Sequence, residues 1–164
     1  MKTKVAIRGF MVMVLTFCIA SAVQAADFSG TTSGIFDSAV GPVTMVTTGQ
    51  GANYLTWGDP DGFGTGPSAL TFTGMAFSGI YETEFKFGAI DYFNGTIVSG
   101  TGADAVDLLA TLTFIDPSGV IQDFNVTFQL INTPNTGAPM DQADTVLLSN
   151  AYDPTAFFTV GGID

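Results

Sequence analysis

Two runs in the second half of the chain alternate apolar and polar residues without a break. Val106, Leu108, Ala110, Leu112 and Phe114 are separated by Asp107, Leu109, Thr111 and Thr113, a period of two that puts one set of side chains on one face of a strand. Phe124, Val126, Phe128 and Leu130 alternate in the same way with Asn125, Thr127 and Gln129. A helical stripe of Val106, Leu109 and Ala110 competes over residues 103–110, but the alternation running on to Phe114 decides for a strand. Asp116-Pro117-Ser118-Gly119 between the two runs is a turn sequence, Pro presetting φ and Gly closing it, so the runs are predicted to pair as a hairpin in the middle of the core.

The rest of the chain reads as shorter pieces of the same kind. Phe85 to Phe93 is rich in aromatic and β-branched residues and meets Asn94-Gly95, after which Thr96-Ile97 resumes. Asn-Gly tolerates positive φ, so a tight hairpin is predicted there. Residues 26–48 mix Gly, Ser and Thr with small apolar groups, as short strands joined by turns do. Tyr54-Leu55-Thr56-Trp57 and Ser68-Ala69-Leu70-Thr71-Phe72 are two further strands, and residues 58–67, with four glycines and two prolines, form a loop. Residues 132–140 are a second loop; Thr145-Val146-Leu147-Leu148 and Phe157-Phe158-Thr159-Val160 are the last strand candidates. About ten short strands with frequent turns predict an all-β fold, a two-sheet antiparallel sandwich that is jelly-roll-like.

The first 25 residues stand apart. Lys2, Lys4 and Arg8 precede an apolar run from Gly9 to Ala22, and Val23-Gln24-Ala25 sets small residues at a cleavage position, the pattern of a secretory signal peptide cut before Ala26. The run falls short of the roughly 20 residues that span a bilayer. Leu15-Thr16-Phe17 ahead of Cys18 does not resemble a lipoprotein signal. Removing this segment changes the picture of charge: of 164 residues 139 remain, with Lys86 their sole basic group against all 15 acids, a net charge of 1 − 15 = −14. Such a surface disfavours nucleic acid and anionic lipid, which need basic groups to displace counterions. No cysteine is left for a disulfide, so one core in a single domain, 26–164, must supply the stability.

Several blocks resemble a known family. Phe85-Lys86-x-Gly88 with Tyr92-Phe93-Asn94-Gly95-Thr96-Ile97 and Gly100-Thr101, preceded by Leu55-Thr56-Trp57-Gly58-Asp59-Pro60 and Ser68 to Phe72, and followed by Ala105-Val106-Asp107-Leu108, Asn135-Thr136 and Ala143-Asp144-Thr145-Val146, are similar to the choice-of-anchor K domains, bacterial exported proteins whose C-terminal anchors vary. The resemblance runs from about Phe28 to the end. It implies export and a β-sandwich, and it carries no reaction. Proteins of this kind generally continue with another apolar strand and often a sorting signal, whereas this chain stops at Gly161-Gly162-Ile163-Asp164. The domain is therefore expected to lack its last strand or to be completed by another chain.

Candidate chemistry is sparse. With no histidine in the chain and no cysteine after residue 25, Ser-His-Asp and Cys-His nucleophile systems and the usual zinc, copper and haem ligands are excluded. Glu82 and Glu84 lie two apart on one strand face, as paired carboxylates of sandwich-fold glycosidases can, or as a solvated face beside Lys86. Oxygen ligands are in excess, which makes calcium the favoured ion. Its candidate ligands are Asp59 and Asp61 in Asp59-Pro60-Asp61-Gly62, and Asp141 and Asp144 after the 132–140 loop; neither pair matches an EF-hand or a nonapeptide repeat, and an Asp-Gly turn needs no ion. Tyr54, Trp57 and Phe63 could form a sugar-stacking platform, although a lone tryptophan on a sandwich strand more commonly packs between the sheets.

The sequence thus reads as a non-enzymatic secreted or cell-surface module acting on an extracellular ligand or protein. The alternative is a small carbohydrate-binding or carbohydrate-active domain using Glu82, Glu84 and the aromatics of residues 54–63.

Overall fold

The computed structural model describes residues 28–60, 62, 64–80, 85–134 and 143–149. All regular structure among them is β: β1 (Phe28–Val40), β2 (Thr47–Thr48), β3 (Tyr54–Trp57), β4 (Ser68–Gly74), β5 (Ala76–Ile80), β6 (Gly88–Phe93), β7 (Ala105–Asp116), β8 (Ile121–Ile131) and β9 (Thr145–Leu148). They form two antiparallel sheets, ordered β5-β1-β7-β8-β9 and β2-β3-β4-β6, which pack as the expected sandwich. The expected signal peptide (1–25) and the strand candidate Phe157-Phe158-Thr159-Val160 lie outside the described residues. Among the described residues no helix is long and apolar enough to cross a membrane.

The two alternating runs form the β7–β8 hairpin, with Leu108 opposite Val126 and Val106 opposite Phe128. Val106, Leu108, Ala110, Leu112 and Phe114 are all buried, as their period of two requires. On β8 the same inward face is buried only at Phe128 and Leu130, while Phe124 and Val126 are half-buried. Trp57, Leu55, Leu70 and Phe72 from the second sheet and Phe36 from β1 close the main cluster against them.

Residues 28–40, read from sequence as short pieces, form one strand of 13 residues. It lies between β5 and β7, and small residues suit that place. A Cβ on Gly34 would come within 2.9 Å of both Phe72 and Leu108, so a larger residue there would separate the sheets. Where β4 passes into β5 the chain leaves one sheet for the other at Met75. Buried Thr32 holds that corner: its hydroxyl accepts from the Met75 N–H at 2.8 Å and donates to the Phe87 carbonyl.

The expected hairpin at Asn94-Gly95 does not form. β6 pairs with β4, Phe72 opposite Ile90, and no strand follows until β7. Neither Asn94 nor Gly95 takes a positive φ. Gly95 instead serves a close approach: an added Cβ would lie 2.2 Å from the Gly66 carbonyl. Buried Ser68 fixes that contact, its Oγ accepting from the Gly95 N–H at 3.0 Å and donating to the Gly95 carbonyl at 3.2 Å. A two-residue turn signal was overridden because β6 found its partner on β4, leaving residues 94–104 to cross between the sheets.

Candidate functional site

The crossing segment, the residues after β8 and Asp144 enclose a cleft of about 550 Å³ at one end of the sandwich. Hydroxyl side chains pin the irregular backbone that forms it. The Thr96 N–H donates to Thr65 Oγ1 at 2.9 Å, Thr44 Oγ1 donates to the Gly100 carbonyl at 2.6 Å, and Thr101 Oγ1 donates to the Val98 carbonyl at 2.7 Å while accepting from the Asp59 N–H. Asn132 reaches across and donates to the Ala103 carbonyl at 2.9 Å. Backbone groups without a strand partner are satisfied in this way, which holds the cleft's shape.

Asp144 is the centre of the polar lining. Its Oδ1 accepts from the Thr133 N–H at 2.6 Å and from Thr133 Oγ1 at 3.1 Å. Asn94 turns its amide nitrogen toward Asp144 Oδ2 at 2.9 Å and toward the Tyr92 phenol at 3.2 Å, while its oxygen accepts from the Asp144 N–H at 3.2 Å. The opposite amide orientation would set oxygen against oxygen. The Tyr92 hydroxyl then donates a hydrogen bond to Asp144. Burial, followed by the Asp144 charge and this hydrogen bond, raises the Tyr92 pKa well above the ordinary 10.0. A carboxylate meeting four donors is fully engaged as a tie between β6 on one sheet and the flanks of β8 and β9 on the other.

Of the calcium candidates, Asp59 is exposed and its backbone carbonyl accepts from the Val98 N–H at 2.7 Å. Asp144 is held as described, and Asp61 and Asp141 lie outside the described residues. Among the described residues no three Asp, Glu, His or Cys side chains come together as metal ligands. Glu82, Glu84 and Phe63 also lie outside the described residues. Trp57 is 1% exposed and stacks on Tyr92, ring centroids 6.0 Å apart and 3° from parallel. It packs between the sheets and cannot meet a sugar, whereas Tyr54 at 49% is accessible. The Asp144 cluster was missed from sequence because Tyr92, Asn94, Thr133 and Asp144 share no spacing; only the fold brings them together.

A second concavity is apolar. Between β6 and the β8–β9 pair lies a groove of about 480 Å³, walled by Phe87, Ile90, Phe124, Val126 and Leu148, with Leu108 and Ala110 at its floor. No protein-family model matches the chain, and no curated protein does.

Proposed function

We propose that the chain is an exported, non-enzymatic β-sandwich module that acts by binding at the extracellular face of the cell, in the manner the resemblance to choice-of-anchor K domains implies. One observation carries this reading. Of the two carboxylates that line the cleft, Asp104 and Asp144, Asp144 is committed to Thr133, Asn94 and Tyr92, which supports a structural tie there over an acid or base facing a substrate. The basic, apolar and small-residue pattern of residues 1–25 supports export. The surplus of acids after residue 25 favours partners that are neutral or cationic over nucleic acid. Calcium stays part of the proposal at Asp59 and Asp61 and at Asp141 and Asp144, of which Asp144 also meets donors from Thr133 and Asn94.

Of the aromatics named for the carbohydrate alternative, Trp57 is enclosed and Tyr54 is exposed. The test is a binding screen of the purified 26–164 protein against extracellular proteins and a glycan array, run beside glycoside-hydrolase assays. A protein partner and no turnover support the reading. Turnover of any glycoside that Glu82→Gln or Glu84→Gln abolishes would replace it.

A further inference from the structure

The apolar groove is walled by side chains that the register directs inward and the surface nonetheless leaves open. Ile90 pairs opposite Phe72 and so shares its inward face. Phe72 is buried, yet Ile90 is 38% exposed. Leu148 pairs opposite Phe128 on the other sheet; Phe128 is buried, and Leu148 is 57% exposed. Two inward-facing aliphatics on opposite lips, with half-buried Phe124 and Val126 between them, mark a position in the four-stranded sheet, beyond β6, where a further strand would lie over β8 and β9. Among the described residues β6 ends its sheet, so the alternate N–H and C=O groups of its outer edge are available to pair.

We infer that this groove is the seat of the chain's own segment Phe157-Phe158-Thr159-Val160, added as a strand along β6. Continuity of the chain selects this occupant. The chain leaves β9 at Ser149, directly after the lip residue Leu148 and held by a 2.9 Å hydrogen bond from its N–H to the Thr127 carbonyl. Residues 150–156 can extend to at most about 25 Å, and the two sheets of a sandwich lie only ~10 Å apart. The segment suits the place chemically. It carries no charge, it is composed of strand-forming residues, and in a strand Phe158 and Val160 would share one face, matching a wall of Phe87, Ile90, Phe124 and Val126. A tethered segment also competes at an effective concentration in the millimolar range for short linkers, ahead of the same segment from a second copy at ordinary concentrations.

Hydrogen exchange on the 26–164 protein tests this. The β6 amides that point away from β4 should exchange roughly tenfold or more slowly than in Phe158→Asp and in a chain ending at Ser149, with β7–β8 protection unchanged and a fluorescent apolar dye bound only by the altered chains. A peptide of residues 150–164 should restore the protection to the shortened chain. If shortening prevents folding, Phe158→Asp still reads the same amides. Equal exchange in the native and Phe158→Asp chains overturns the inference. So does protection that vanishes on dilution as a dimer dissociates, which would give the groove to a second copy.

Discussion

The Tyr92 phenol on β6 donates a hydrogen bond to the carboxylate of Asp144 ahead of β9, which with the Asn94 amide joins the two sheets at the end of the sandwich. Trp57 lies parallel to the same ring. Tyr92 therefore links the core of one sheet to the polar end of the other, and its removal should be felt in both stability and pH dependence.

Tyr92→Phe keeps the ring and removes a hydrogen bond to a charged group, an expected loss of about 1.5–3 kcal/mol at neutral pH. The pH dependence follows from the raised Tyr92 pKa. The unfolded chain releases this proton near pH 10.0 while the folded chain retains it. The tie's contribution is complete below pH 10 and is lost as pH rises from there through the folded value. Urea unfolding of both proteins between pH 7 and 11 should show the alkaline loss to be shallower in Tyr92→Phe. Parallel curves would mean that Tyr92 does not hold its proton against Asp144.

Asp144→Asn removes the charge that meets Thr133, Asn94 and Tyr92 and should destabilise the domain by roughly 1–3 kcal/mol. Because the carboxylate is a hydrogen-bonded tie, the loss should be the same in millimolar calcium and in chelator at matched ionic strength. Calcium bound at Asp59 and its loop would instead stabilise the native protein by RT ln(1 + [L]/Kd), about 2.7 kcal/mol at a hundredfold excess over Kd, and Asp59→Asn would abolish that gain. A calcium-dependent gain erased by Asp144→Asn would make Asp144 a ligand.

Gly95→Ala places a methyl group against the Gly66 carbonyl and Pro67 backbone. Overpacking against main chain should cost about 1–3 kcal/mol, measurable as a lower urea midpoint with an unchanged slope. A change below about 0.5 kcal/mol, ordinary for a surface position, would show that residues 66–68 yield.

Trp57 is the chain's one tryptophan and is buried against Tyr92. Its Nε1 finds no acceptor among the described residues, an arrangement that leaves a polar group in an apolar setting. Fluorescence should therefore be blue-shifted and resistant to acrylamide in the folded protein, and glycans should leave it unchanged. Quenching or a spectral shift on adding a sugar, without unfolding, would return Trp57 to a binding role.

The β7–β8 hairpin could be read directly from residues 105–131, because a pleated strand with one buried face imposes a period of two that survives in any context. The same local physics identified β3, β4 and β9. β1 was harder: its Gly, Ser and Thr residues carry no hydrophobic rhythm, and they form a long strand only because β5 and β7 flank it and Phe72 and Leu108 crowd Gly34. Asn94-Gly95 shows the converse, a strong local turn signal that lost to the β4–β6 ladder and became a crossing. The all-β class and the absence of histidine and cysteine chemistry after residue 25 followed from composition and alternation alone. The Asp144 tie, the burial of Trp57 and the groove between Ile90 and Leu148 required the tertiary structure, since each depends on residues from different sheets meeting across the sandwich, and no local pattern encodes which face another strand will cover.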